Sequence, residues 1–172
     1  MILKYFLNLL LFSGFLSIFN SCQPTNEKST SLILIRHAEK MIASSNDPQL
    51  STKGWQRANE LVHIFEAVDI DAVYASPYRR TIDTARPLAT AKQLEILQYD
   101  PNKLVSFAQE ILKTHQGETV VIIGHSNTTP QLTNALAGTE YSDLEETEYD
   151  WLYFVEMSPE GTSNVKKLQI QM

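Results

Sequence analysis

Leu32-Ile33-Leu34-Ile35 is an unbroken apolar run of β-forming residues that passes directly into Arg36-His37. A strand that is apolar on both sides must be covered on both faces, which is the situation of a parallel sheet lying between helices. A chain built around such a strand needs helices on either side of it, and the remaining sequence supplies them.

After a loop holding Asp47-Pro48, Ser51 is placed to cap a helix. Trp55, Ala58, Leu61, Val62 and Phe65 recur behind it at helical spacing. Residues 70–75 read as a second strand, 79–91 as a second helix and 94–99 as a third strand. Asp100-Pro101 has the form of a helix opening, with Leu104, Phe107, Ala108, Ile111 and Leu112 as its apolar stripe and Gly117 beyond its end. Residues 119–123 are a β-branched strand, and a short helix over 130–137 is closed by Gly138. Two further strands, 151–157 and 165–170, are joined by a turn at Pro159-Glu160-Gly161. The alternation predicts an α/β fold, a three-layer α/β/α sandwich with a mostly parallel central sheet. Its ligand site belongs at the carboxyl ends of the strands. Arg36-His37, Ser76 and His125 all fall at such ends.

The front of the chain reads as an address. Lys4 precedes an apolar run over residues 5–19, which as a helix spans about 22 Å, short of the ~30 Å hydrocarbon core. That length suits a cleaved export signal over residues 1–21 better than a spanning helix. The run stops at Ser21-Cys22, and a small residue before a cysteine at that place resembles the lipobox of bacterial lipoproteins. The resemblance implies that Cys22, the one cysteine of the chain, becomes the lipid-bearing first residue of the mature protein. The expected location is a bacterial envelope membrane, the alternative being a soluble periplasmic or secreted protein. Residues 22–30 then form a flexible tether and 31–172 the working domain. A single cysteine excludes an internal disulfide and a zinc site made of cysteines.

The chain carries a net charge of −6 and a pI near 5.2, which argues against binding a nucleic-acid backbone. Within that acidic protein Arg36, Arg80, His37 and His125 all sit at strand ends or at the helix start beside them. Converging, they make a small cationic pocket, and the planar fork of arginine suits phosphate oxygens.

Leu34-Ile35-Arg36-His37-Ala38-Glu39 resembles the signature of the histidine phosphatase superfamily, the phosphoglycerate-mutase-like proteins, with Ala38 where Gly is usual. Further matches follow in order: Leu50-Ser51-x-x-Gly54-x-Gln56-x-Ala58, Ala75-Ser76-Pro77-Tyr78-Arg79-Arg80-Thr81 with Thr84-Ala85, and Gly124-His125-Ser126-Asn127-Thr128. The resemblance implies that His37 takes the phosphoryl group as a phosphohistidine, that Arg36 and Arg80 hold its oxygens, and that His125 donates to it. It implies no cofactor and no metal, the arginines supplying the positive charge. The implied partner is a small phosphorylated substrate or a phosphoprotein.

Protonating the leaving group requires an acid within reach. Relatives place a Glu after the third strand or an Asp directly after the second histidine; here Ser126 stands at the latter position. Asp100 is the positional candidate for the former, and it is equally an N-cap before Pro101. Glu39, Glu145, Glu146 and Glu148 stay open. Without an acid, phosphohistidine and other phosphoramidates become the favoured substrates. Arg79 should face outward or pair with an acid, and Ser76 and Asn127 should hold loop backbone or touch phosphate. His63 and His115 should face solvent, while Trp55 and Trp151 should belong to core or pocket wall. The loop over 41–49 and the acidic stretch 143–150 should rim the pocket.

Two other motifs fail. Gly124-His125-Ser126-Asn127-Thr128 lacks the last glycine of a nucleophile elbow, and no histidine follows Ser126. His37-Ala38-Glu39 lacks the cysteine pair of the zinc deaminases. The expected function is a metal-independent phosphatase. Its rivals are a non-catalytic anion- or phosphoprotein-binding lipoprotein of the same fold and a phosphoglycerate-type mutase. The mutase is disfavoured by the short chain between Arg80 and His125. For the anchor, Cys22→Ser should release the protein from membranes into the soluble fraction on cell fractionation. A wild-type protein that is already soluble refutes the lipid reading.

Overall fold

The computed structural model describes residues 28–42 and 45–170. The expected export signal over residues 1–21, Cys22 and most of the expected tether lie outside the described residues. Among the described residues no helix is long and apolar enough to cross a membrane.

Among the described residues six strands and four helices follow in order: β1 (Thr30–Arg36), α1 (Thr52–Ile64), β2 (Ala72–Ala75), α2 (Arg79–Lys92), β3 (Ile96–Gln98), α3 (Leu104–Thr114), β4 (Thr119–Gly124), α4 (Thr128–Ala137), β5 (Trp151–Met157) and β6 (Ser163–Gln169). They form one sheet of order β3-β2-β4-β1-β5-β6. The first four strands of that order are mutually parallel; β5 pairs antiparallel with β1, and β6 antiparallel with β5. The two most apolar segments, β1 and β4, are the central pair, as burial on both faces requires.

The pleat divides their side chains between two cores. Leu32, Leu34, Val120 and Ile122 face α3 and α4, where Phe107, Ile111 and Leu132 meet them. Ile33, Ile35, Val121 and Ile123 face the other way, against Leu61 and Phe65 of α1 and its C-terminal end and Ala85 and Leu88 of α2. This is the expected three-layer sandwich. The exposed edge, β6, carries Lys166 and Lys167 and is too charged to invite another strand.

Differences from the sequence reading are local. Asp100 does not cap α3. Its Oδ1 accepts from the Asn102 backbone N–H at 2.9 Å and the Asn102 side chain at 3.1 Å, an Asx turn that delays the helix to Leu104. Helix α4 opens two residues before Pro130, because Thr128 Oγ1 accepts from the His125 N–H at 2.9 Å. His115 does not face solvent. It is 8% exposed, with Nε2 3.0 Å from the Tyr74 hydroxyl and Nδ1 2.6 Å from Glu118. Trp55 is exposed on the first turn of α1 rather than core, while Trp151 is half-buried against the α3–α4 core. His63 is exposed, as expected.

One close approach ties α1 to the end of β1. Ser51 caps α1 by accepting from the Gly54 N–H at 3.1 Å, while its own N–H donates to Glu39 O at 2.8 Å. A Cβ on Gly54 would lie 2.1 Å from that same Glu39 oxygen, so only glycine lets helix and loop meet. Gly54→Ala should therefore cost about 1–3 kcal/mol in chemical denaturation, through a displaced Glu39 backbone. An unchanged midpoint would show that the contact is not needed.

Candidate active site

Two of the pocket residues lie on one continuous hydrogen-bond ladder. Arg36 pairs with Gly124 at the ends of β1 and β4, and the His37 N–H donates to Gly124 O at 2.8 Å. The next residue on each strand is a histidine, so their rings lie 5.4 Å apart between centroids. Gly124 is obligatory here, because an added Cβ would meet Thr129 Oγ1 at 2.7 Å and Thr128 Oγ1 at 2.9 Å.

His37 is buried, and its Nδ1 lies 2.8 Å from the Ala38 carbonyl. A carbonyl only accepts, so Nδ1 carries the hydrogen and Nε2 keeps its lone pair. Burial above all drives the imidazole pKa from the usual 6.5 down to about 3, against the pull of the Ala38 carbonyl and with help from His125, Arg80 and Arg36. The ring is therefore neutral and nucleophilic throughout the mild pH range. Ala38, in the place where Gly is usual, is fully buried with Leu50 and Ala58, and its N–H donates to Thr84 Oγ1 at 2.9 Å. A methyl group fits there.

His125 has the opposite tautomer. A guanidinium only donates, so Arg80 Nη2, at 3.3 Å, requires a lone pair on His125 Nδ1. Nε2–H then donates to Ser76 Oγ at 2.8 Å, and Ser76 is held in turn by Thr81. Ser76 thus orients the second histidine. Burial first, then Arg80, Arg36 and Lys40, lower its pKa to about 4.

Arg36 is only 1% exposed. Its Nη1 donates to the carbonyls of Glu145 at 2.6 Å and Glu148 at 2.8 Å, and the Tyr149 ring lies 4.0 Å from its guanidinium carbon. The acidic stretch before β5 thus rims the pocket as expected. Its part in holding Arg36 is played by backbone carbonyls and an aromatic face, which the sequence did not reveal. Arg80, in the first turn of α2, stacks on Tyr78 at 4.6 Å and lies 3.5 Å from Asp47 Oδ1. Arg79 points outward, and its backbone N–H donates to Asp47.

These groups line one cleft of about 880 Å³, flanked by the first turns of α3 and α4; Asn127 is among the lining residues. Among the described residues no group of three or more carboxylate or imidazole side chains is arranged to hold a metal ion.

The Glu145 side chain is exposed and is not among the residues lining the cleft. Asp100 is exposed and does not line the cleft, and the Asn102 N–H holds its carboxyl below the usual range. The structure does not bring it to the histidines. Burial alone would raise the Glu39 carboxyl, but the Arg57 fork at 2.8 and 2.9 Å prevails and keeps it at about 2. Glu148 is held below its usual range by the Glu145 N–H and by Trp151 Nε1. Glu146 alone of the acids lines the cleft among the described residues, 3.5 Å from Arg36 Nη2 and 3.4 Å from Lys40 Nζ.

Keeping two imidazoles neutral has a consequence for stability. Below pH 6.5 the unfolded chain takes up protons that folded His37 and His125 refuse, so stability falls as pH drops toward 4. Glu39 adds its own loss only below about 4.5, where the unfolded carboxyl begins to protonate. Between pH 6.5 and 4.5, His37→Gln should therefore show a shallower decline of Tm than wild type. Equal slopes would contradict a neutral, buried His37.

Residues 32–102 match the sequence model of the histidine phosphatase superfamily (branch 1). The chain is 25% identical to Phosphoserine phosphatase 1 of Hydrogenobacter thermophilus over 164 residues, covering 64% of this chain and 78% of that protein. The fold is similar to that of the protein histidine phosphatase SixA complexed with tungstate, with a TM-score of 0.66 at 16% identity over 81% of this chain and 96% of that one. It is also similar to a mycobacterial glucosyl-3-phosphoglycerate phosphatase, with a TM-score of 0.71 at 11% identity over 84% of this chain and all of that one. The family match over residues 32–102 and the fold agree: the chain is similar to the histidine phosphatase superfamily and shares the fold of solved histidine phosphatases.

Proposed function

We propose that the chain is a metal-independent phosphatase that moves a phosphoryl group from its substrate to His37 Nε2 and then to water. The observation that carries this is the neutral His37 imidazole, its Nδ1 engaged by Ala38, set beside His125 among the Arg36 and Arg80 guanidiniums. In the first step Nε2 attacks phosphorus and the bond from phosphorus to the leaving atom breaks. In the second, water attacks the phosphohistidine, the P–N bond breaks and His37 regains its lone pair.

Arg36 and Arg80 supply preorganised positive charge for the transferring oxygens, so no metal is needed to neutralise them. A phosphoryl dianion lying against His125 Nδ1 raises that ring's proton affinity, so that it takes a proton and donates to the phosphoryl.

Leaving-group chemistry narrows the substrate class. Asp100 stands apart, Glu39 and Glu148 are held as carboxylates, and Glu146 lies between two cations. With no poised acid beside His37 among the described residues, the site favours leaving groups that depart without strong acid help: phosphoramidates, phosphohistidine on a protein among them, and aryl phosphates. The similarity to a protein histidine phosphatase supports that choice, and the similarity to a phosphoserine phosphatase supports a small phosphomonoester as the alternative. Export and anchoring through Cys22 complete the proposal and rest on the sequence of residues 1–22.

Purified protein should hydrolyse phosphoramidate and p-nitrophenyl phosphate in the presence of chelator, and serine-type alkyl phosphates at least ~10²-fold more slowly. His37→Ala should abolish turnover, and Arg80→Ala should lower kcat/KM by about 10²-fold. Wild type inactive on all three substrates would replace this reading with the non-catalytic anion-binding one.

A further inference from the structure

The stretch from Glu145 to Tyr149 closes on Arg36 from three sides. Two backbone carbonyls use both hydrogens of Nη1, and Tyr149 covers the guanidinium face. Nε is buried without a hydrogen-bond partner among the described residues. An incoming phosphoryl oxygen can therefore meet Arg36 only along its Nη2–Nε edge.

Glu146 meets that edge at its Nη2 corner and leaves Nε open. Its Oε2 lies 3.5 Å from Arg36 Nη2 and 3.4 Å from Lys40 Nζ, one anionic oxygen bridging two cations of the cleft. The backbone on both sides of Glu146 is pinned to Arg36, yet its side chain is 72% exposed and can swing into solvent. Both contacts are long, and the carboxylate itself stands in solvent that screens it and hydrates it when it leaves, so displacing it costs little.

Resting on the reading of Arg36 as a phosphoryl ligand, we propose that Glu146 is an internal competitor for the anion site and thereby a specificity-determining residue. Its carboxylate stands where a phosphoryl oxygen must go. A terminal phosphoryl with two negative charges displaces one carboxylate from a two-cation site more readily than a singly charged phosphodiester does. The same return of the carboxylate speeds the departure of inorganic phosphate. Glu146 thus tunes affinity and selects terminal phosphoryl groups; it takes no part in proton transfer.

The test is direct titration by calorimetry, which does not depend on turnover. Inorganic phosphate and dimethyl phosphate are titrated separately into wild type, Glu146→Gln and Glu146→Asp. Glu146→Gln should bind phosphate about 2–5-fold more tightly at low salt, with the gain shrinking at high salt. Dimethyl phosphate should gain more than inorganic phosphate, an equal gain overturning the specificity claim, and Glu146→Asp should stay near wild type. Unchanged or weaker phosphate binding in Glu146→Gln overturns the proposal, while the phosphatase reading survives if turnover persists. A fall in kcat on alkyl phosphates with phosphate affinity unchanged also overturns it, and makes Glu146 a proton donor. Absence of phosphate binding in all three proteins removes the anion site on which both readings stand.

Discussion

The parallel pairing of β1 with β4 is the constraint on which the rest of the molecule depends. Register Leu34↔Ile122 through Arg36↔Gly124 fixes which side chains enter which core, and the bond from His37 N–H to Gly124 O carries the ladder one residue further. A slip of one residue would exchange the two apolar faces and separate the histidines. Four aliphatic pairs buried on both sides make such a slip prohibitive. The chemistry at the strand ends thus inherits its precision from the most apolar part of the sheet.

Charge is the second organising term. Burying a guanidinium and two imidazoles is unfavourable unless each polar atom finds a partner. Arg36 finds carbonyls and an aromatic face but leaves Nε unpartnered among the described residues, His37 finds a carbonyl, and His125 a hydroxyl and a guanidinium. Burial keeps the imidazoles neutral, which leaves His37 Nε2 with a lone pair. The positive charge of the site rests on arginines, which do not lose it at any mild pH. A neutral imidazole with a free lone pair and permanently charged guanidiniums therefore sit side by side without neutralising one another.

Much of this was legible in the sequence, and the failures have physical causes. The strands were readable because β1 and β4 are continuous apolar runs, and helices α1 and α3 because their buried residues recur at helical spacing. Arg36, His37, Arg80 and His125 were legible because strand ends converge on one edge of a parallel sheet, and the cleft gathers all four. Asp100 misled because an aspartate before proline fits a helix cap and an Asx turn equally well; only the Asn102 contacts decide. His115 misled because its burial depends on Tyr74, 41 residues away. The clamp on Arg36 from Glu145 and Glu148 was invisible because backbone carbonyls leave no trace in side-chain identity.

The central claim is that His37, held by Ala38 through Nδ1, receives the phosphoryl group on its other ring nitrogen. The most direct measurement is rapid quenching of the full chain in alkali during turnover of phosphoramidate, followed by phosphorus NMR and peptide mapping. The account predicts an acid-labile, alkali-stable adduct on His37 with phosphorus on Nε2. An acid-stable adduct on a serine or threonine, a phosphohistidine on His125, or phosphorus on Nδ1 of His37 would contradict it.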